Sequence, residues 1–268
     1  MAQRLEAAGF DSIWVSDHVV FPQQVPSGYP FSDDGRPTWP MDVDYFEPLI
    51  ALAAIAPATS RVELGTSVLI IPMRNPVYFA KQAACIDALS KGRLVLGVGV
   101  GWLREEFEAL GMDFDSRGPV LDEWLDMAQQ CWTGSAGPYD GRFYKLDAPI
   151  YCRPVPVRNP PILIGGMSRL ALERAGRIAD GWLAQLSMDN ISEEAIASAV
   201  ATMKGAGRGR ANYRAVLRIS GAEARMEELA RRLATLAAAG ATEVIIDVDW
   251  SQEDSPARAC DALRSAVA

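Results

Sequence analysis

Residues 62–102 read VELGTSVLIIPMRNPVYFAKQAACIDALSKGRLVLGVGVGW, and this stretch decides the fold. Val62 to Ile70 and Arg93 to Val100 are nearly all apolar, as strands buried on both faces are. Pro76 to Ser90 between them has helical spacing of its apolar residues. The stretch therefore predicts two parallel strands that are joined by a crossover helix.

The same alternation of strand and helix runs through the rest of the chain. Strands are predicted to start at Phe10, Val62, Arg93, Ile162, Gly181, Tyr213 and Glu243, and a helix follows each; the last strand and the last helix are predicted to end at Trp250 and Val267. Alternation with short connections predicts an α/β fold with a parallel sheet.

Two architectures fit such a sheet. A TIM (β/α)8 barrel takes about 250 residues, and this chain of 268 residues fits one that lacks its first strand, because the opening helix Ala2 to Ala8 has no strand before it. An open doubly wound sheet is the weaker alternative, since Gly97 to Gly101 lacks the G-x-G-x-x-G spacing. We predict a single barrel domain over residues 1–268, with an excursion at about residues 133–160.

Composition excludes several classes of protein. A net charge of -8 and a pI near 4.8 argue against a nucleic-acid surface. No apolar run reaches the roughly 20 residues that cross a bilayer, and the N-terminus has no leader pattern, so no membrane contact and a cytoplasmic location are predicted. The four cysteines form no C-x-x-C pair and His18 is the only histidine, so no metal site is predicted.

Candidate site residues lie where predicted strands end. Asp17 and His18 follow the first strand, and histidine suits proton transfer near neutral pH, although a lone histidine is more often structural. Gly99 and Gly101 follow the third, where they allow either close approach of a ligand or tight packing of the strand on a helix. The turn Gly165-Gly166-Met167-Ser168 precedes a helix whose N-terminus attracts anions; an ordinary turn and cap is the alternative.

Four segments resemble the bacterial luciferase-like family of flavin and deazaflavin oxidoreductases. They are GFDSIWVSDH (9–18), ELGTSVLIIPMRNP (63–76), KGRLVLGVGVGWLREEFEALG (91–111) and ILIGGMSRLALERAGRIADGW (162–182), in the family's order and spacing. The TSV and GVGVGW segments look like the pocket of the branch that uses coenzyme F420, a deazaflavin. The resemblance covers most of residues 1–186.

The resemblance implies roles for individual residues. A non-prolyl cis peptide at Ser67-Val68 is expected to form a bulge behind the middle flavin ring, the Gly165 turn to hold the cofactor phosphate, and His18 to act as the catalytic base. Trp102 stands where the deazaflavin sugar-phosphate dehydrogenases carry a glutamate, so we expect a different substrate and an apolar or aromatic pocket. The expected cofactor-binding set is Asp17, Thr66, Ser67, Val68, Gly99, Gly101, Trp102, Gly165, Gly166 and Ser168.

The resulting hypothesis is an F420-dependent oxidoreductase that transfers a hydride between C5 of the deazaflavin and an unidentified organic small molecule. The alternatives are an FMN-dependent luciferase-like monooxygenase and a truncated or degenerate barrel protein without catalysis. An opened barrel leaves two sheet edges unpaired, which favours association, and a homodimer is expected.

Other charged and loop segments carry weaker expectations. Arg74 and Lys81 are expected to be exposed charges at a helix end, with phosphate or a polyglutamate tail as alternative ligands. Arg104-Glu105-Glu106 is expected to be a solvated face. The long loop from Val19 to Tyr45 and the excursion are expected to cover the pocket.

Overall fold

The computed structural model describes residues 1–30, 32, 34–37, 39–207, 212–249 and 251–266. The strands are β1 (Ser12–Val15), β2 (Glu63–Ile70), β3 (Leu94–Gly99), β4 (Ser135–Ala136), β5 (Tyr139–Asp140), β6 (Lys145–Leu146), β7 (Ile150–Tyr151), β8 (Ile162–Gly165), β9 (Gly181–Ser187), β10 (Arg214–Ser220) and β11 (Glu243–Ile246). The helices are α1 (Ala2–Ala8), α2 (Pro48–Ala58), α3 (Pro76–Ser90), α4 (Arg104–Ala109), α5 (Arg117–Trp132), α6 (Arg169–Ile178), α7 (Glu193–Ala206), α8 (Met226–Ala238) and α9 (Ser255–Ser265). A 3-10 turn spans Ile71–Met73.

The seven strands that the sequence predicts are all present and form one sheet in the order β1-β2-β3-β8-β9-β10-β11. Chain order is never reversed, which excludes a doubly wound sheet, because that fold reverses its order at a switch point. The TIM-barrel type of α/β fold is confirmed. The expected absence of one barrel strand before α1 stays a prediction. The predicted ends at Trp250 and Val267 lie outside the described residues.

The chain divides into two compact units. The first unit is Met1–Trp14, Arg61–Glu63 and Pro161–Ala268, and the second is Val15–Ser60 and Leu64–Pro160. The prediction of one domain over 1–268 stays a prediction. In the described part of the chain, no helix is both long and apolar enough to span a membrane.

In the second unit, β2 and β3 pair in parallel around α3, as the opening stretch predicts. Every residue of β3 is buried, which is why its sequence shows no polar alternation. Asn75 caps α3 by accepting hydrogen bonds from the backbone N–H groups of Val77 and Tyr78, and Pro76 takes the first helical position. The helix ends at Lys91, which has a left-handed backbone conformation.

The excursion belongs to the second unit and forms two nested antiparallel pairs, β4 with β7 and β5 with β6. A hairpin turn runs from Gly141 to Tyr144, where the Gly141 N–H donates to the Tyr144 carbonyl between β5 and β6. The Glu123 carboxylate on α5 accepts three N–H groups of that turn, and the Asp87 carboxylate on α3 accepts those of residues 157 and 158. These bonds hold the excursion against α3 and α5, and the expectation that it covers the pocket stays a prediction.

In the first unit, β8 to β11 pair in parallel with continuous registers. Arg214 on β10 bonds the carboxylates of Glu243 on β11 and Glu63 on β2. Gly181 opens β9 because a Cβ there would lie 2.1 Å from the Arg214 carbonyl oxygen. Ser192 caps α7 by accepting the backbone N–H of residue 195.

Candidate active site

Asp17 and Arg74 form a buried ion pair just beyond the ends of β1 and β2. The two guanidinium NH groups of Arg74 bond both carboxylate oxygens of Asp17, at 2.6 and 2.8 Å, and one of them also reaches Glu47 at 3.0 Å. Asp17 additionally accepts the N–H of Ile70. Burial alone would lower the pKa of Arg74, but the Asp17 carboxylate, helped by Glu47, raises it above its ordinary value, so Arg74 is a cation.

This pair corrects one expectation. Arg74 is not an exposed helix-end charge, because its side chain is 11% exposed and its guanidinium is bound by two carboxylates. Both carboxylate oxygens of Asp17 are hydrogen-bonded inside the protein and hold the end of β2, and the expectation that Asp17 binds the cofactor stays a prediction.

His18 is held by a carboxylate that the sequence pattern assigns to a solvated face. Glu106 on α4 is fully buried, and its Oε2 lies 3.0 Å from Nδ1 of His18. Its Oε1 accepts the backbone N–H groups of Val19 and Val20. Glu105, one residue earlier, does bond an exposed partner, Ser27.

The bond to Glu106 defines the tautomer of His18. Because an ionised carboxylate can only accept hydrogen bonds, the arrangement assigns the Nδ1 proton of His18 to the bond with Glu106. Nε2 then carries the lone pair, and no described residue is hydrogen-bonded to it. His18 can therefore take a proton from a bound molecule through Nε2.

Aromatic side chains surround the His18 ring. Phe21 lies 4.6 Å from it between ring centroids, Tyr45 5.9 Å, Trp102 6.1 Å and Trp39 6.4 Å. Tyr29 bridges Trp39 and Trp102 at 5.0 and 5.1 Å. Aromatic rings do lie around Trp102, and its expected place in the lining of a substrate pocket stays a prediction. Most of these rings come from the long loop, which therefore packs around His18.

The Ser67–Val68 peptide bond is cis, as the resemblance implies. The register of β2 against β3 shifts between Thr66 and Leu69, which forms the expected bulge, and Thr66 donates to the Gly97 carbonyl at 2.8 Å. A Cβ on Gly99 would lie 2.7 Å from the Val68 side chain. Gly99 is thus required by the bulge itself, whether or not a ligand approaches it.

Backbone conformation and packing also require glycine at position 101. Its φ is +81°, and a Cβ there would lie 2.8 Å from the side chains of Ile70 and Phe107. Tight packing, the alternative reading of these glycines, accounts for both Gly99 and Gly101 without a ligand.

The Gly165 turn lies in the first unit. Gly166, at φ +119°, donates its N–H to Leu183 and accepts the Trp182 indole N–H at 2.7 Å. Ser168 caps α6 through the N–H of Ala171. Among the described residues, no acceptor is bonded to the N–H groups of residues 169 and 170, which leaves the first turn of α6 able to bind an anion.

A model of the family described as luciferase-like monooxygenase matches residues 1–262. The chain belongs to this family. Within 1–30, 32, 34–37, 39–207, 212–249 and 251–266, this luciferase-like protein has no cluster of metal-ligating side chains, and the expectation of no metal site stays a prediction.

Curated relatives match about two thirds of the luciferase-like chain. An uncharacterised protein of Mycobacterium tuberculosis is 34% identical over 183 residues, 68% of this chain and 63% of the relative. The F420-dependent glucose-6-phosphate dehydrogenase of Amycolatopsis mediterranei is 34% identical over 188 residues, 68% of this chain and 51% of the enzyme. The matches thus span less than two thirds of these relatives' lengths.

Solved structures share the fold. A monooxygenase from Streptomyces bottropensis superposes with a TM-score of 0.71 at 20% identity, covering 99% of this chain and 92% of that one. An F420-dependent secondary alcohol dehydrogenase, in complex with an F420-acetone adduct, superposes with a TM-score of 0.65 at 19% identity. This match covers 98% of this chain and 78% of that one.

Glu106 is the functional residue that the sequence reasoning missed, although a signal for it exists. Leu103, Phe107 and Leu110 are spaced four and three residues apart, which marks the buried face of α4. Glu106 follows Leu103 by three residues and so shares that face. A carboxylate on an apolar helix face predicts a buried partner.

Proposed function

We propose that this luciferase-like protein is an oxidoreductase that transfers a hydride between C5 of coenzyme F420 and an organic small molecule, with His18 as the proton acceptor or donor. The proposal is carried by the His18–Glu106 pair, which supplies a histidine with a defined free nitrogen among aromatic rings. The F420-dependent relatives at 34 and 35% identity support the choice of cofactor.

When bound, the deazaflavin would supply or accept the hydride at C5. Nε2 of His18 would take the proton of a substrate hydroxyl as the hydride leaves, or return it in the reverse direction. Glu106 would keep the ring in one orientation and offset the positive charge that forms on it. The surrounding aromatic rings would exclude water from the proton transfer.

The residues fit such a cofactor. In the second unit, the bulge at Thr66, Ser67 and Val68 is proposed to support the ring system, with Gly99, Gly101 and Trp102 beside it. In the first unit, the turn Gly165-Gly166 with Ser168 is proposed to bind phosphate, since the first turn of α6 has N–H groups to offer. Asp17 would act indirectly, by holding β2.

A glucose-6-phosphate-like substrate is not proposed, because Trp102 stands where the resemblance places a glutamate and Arg74 is already bound by two carboxylates. A homodimer is proposed for the assembly.

Titration with F420 and with FMN tests the cofactor. We expect quenching of deazaflavin fluorescence with saturable binding, and weaker binding of FMN. His18→Gln should bind F420 as the parent protein does yet lose turnover, by about 10²–10⁴-fold for a proton-transfer residue. Tight binding of FMN with no response to F420 would overturn the cofactor assignment.

A further inference from the structure

The second unit contains a cavity of about 380 Å³ that lies between α3, α5 and the excursion. Its volume falls within the range of small-molecule sites, about 300–1,000 Å³. None of its lining residues belongs to the set around His18, and the proposed reaction gives it no task.

The apolar part of the lining of this outer cavity, which we call its floor, consists of Ala80, Ala84 and Trp132. Ala80 and Ala84 on α3 are buried, and their small side chains leave the space open. Trp132 at the end of α5 is fixed beside them, because its indole N–H donates to the Ala80 carbonyl at 3.0 Å. The floor therefore offers apolar surface with one aromatic ring.

Tyrosines form the sides of the outer cavity. Tyr78 comes from α3, and Tyr144 and Tyr151 come from the excursion. Tyr78 and Tyr151 are 65% and 92% exposed, although tyrosine rings usually bury much of their area. Rings on several sides of an apolar floor suit a planar, ring-bearing ligand.

The charges at the outer cavity are positive only. Lys81 and Arg153 line it, no carboxylate does, and the ion pairs of the described residues include neither of these cations. Lys81 donates instead to the backbone carbonyl of Arg153, which holds its ammonium group at the rim. Lys81 is exposed, as the sequence leads us to expect. Its place at an aromatic cavity also fits the alternative, an anion ligand.

We propose that the outer cavity is a second ligand site, which binds a ring-bearing organic anion of the aromatic carboxylate class. The ring lies on the floor between the tyrosines, and the carboxylate meets Lys81 and Arg153. The site is independent of the proposed hydride transfer, so measurements of ligand binding alone can confirm or refute it.

A cysteine in the cavity lining can report whether a ligand is bound. Cys131 and Cys152 both line it. Burial, together with the hydrogen bond that the Cys131 thiol donates to Cys152, raises the pKa of Cys131 to about 12, so this thiol stays unreactive near neutral pH. Cys152 is half-buried, as is Cys85, which lies outside the cavity and serves as an internal control.

The test uses 2-naphthoate, with 2-naphthylmethanol as its uncharged counterpart. We expect calorimetry to show saturable binding of one naphthoate per chain and binding of the alcohol about three- to tenfold weaker. Naphthoate should slow alkylation of Cys152 by iodoacetamide, measured by peptide mass spectrometry, and leave Cys85 unchanged. Absence of naphthoate binding, equal binding of the alcohol, or equal protection of both thiols would each overturn the proposal.

Two variants locate the site. Ala84→Leu fills the floor and should abolish naphthoate binding, while Lys81→Met should weaken it about three- to tenfold without affecting the alcohol. Lys204→Met, an exposed lysine in the first unit, should change neither. Unchanged binding in Ala84→Leu or in Lys81→Met places the ligand elsewhere and refutes the proposal; if Ala84→Leu does not fold, Lys81→Met and Cys152 protection decide.

Discussion

Replacement of Glu106 by glutamine should change the tautomer of His18. The carboxylate can only accept hydrogen bonds, so it requires the proton on Nδ1, whereas the glutamine amide can present an NH2 group to the same nitrogen. Since Val19 and Val20 both donate to Oε1, the glutamine oxygen should keep those bonds and turn its NH2 group toward the ring. Nε2 would then carry the proton and lose its capacity to accept one.

The size of the effect follows from the bond that is lost. A hydrogen bond to a charged group contributes about 1.5–3 kcal/mol, which corresponds to a preference of roughly 10- to 100-fold for the Nδ1–H tautomer. In the parent protein, this tautomer should therefore be the dominant form. Turnover in Glu106→Gln should fall by about 10²–10⁴-fold with little change in F420 binding, because the proton acceptor is removed and the cofactor residues are not.

The assay is nitrogen-15 NMR of the imidazole ring, and it needs no substrate. His18 is the only histidine in the sequence, so one ring gives all the signals. Deprotonated and protonated ring nitrogens differ widely in chemical shift, which identifies the tautomer in each protein. A parent protein with the proton on Nε2, or a Glu106→Gln spectrum with the same tautomer as the parent, would refute the reasoning. Glu105→Gln is the matched control and should leave the spectrum unchanged.

Three further predictions concern stability and are measured by urea denaturation. Arg74→Met should lower the free energy of unfolding by about 3–5 kcal/mol, because it leaves the buried Asp17 carboxylate without its partner; a loss below about 1 kcal/mol would show that the pair is dispensable. Gly101→Ala should cost about 2–5 kcal/mol from backbone strain and overlap together, whereas Gly111→Ala, with φ +69° and no atom within 4 Å, should cost only about 1–2 kcal/mol. Trp182→Phe should lose about 1 kcal/mol with the indole hydrogen bond to the turn after β8, and an unchanged midpoint would contradict that.

The sequence was sufficient for the strands because their signal is local. β3 is buried at every position, and six apolar or glycine residues in a row already predict a strand of a parallel sheet. The helical spacing of Pro76 to Ser90, which forms α3, likewise depends on neighbours within a few residues. Such features need no knowledge of the rest of the fold.

The site was predicted less completely because its partners are distant in sequence. Arg74 bonds Asp17 across 57 residues, and Glu106 bonds His18 across 88. A charged residue in a helix or at its start is exposed in most proteins, and only a partner brought close by the fold reverses that expectation. The rings of Trp39 and Tyr45 come from a loop without periodicity, so no sequence pattern predicted their position beside His18.

The guanidinium of Arg74 has a consequence for how sequences of this kind can diverge. It touches Asp17 before the long loop, Glu47 at the start of α2 and the Ile70 carbonyl at the end of β2. Replacing Asp17 or Arg74 alone leaves the other as a buried charge without its main partner, so single substitutions at these two positions should be disfavoured by selection. Across homologous sequences, positions 17 and 74 should change together or not at all. Position 47 should vary more independently of them, because its side chain is 29% exposed.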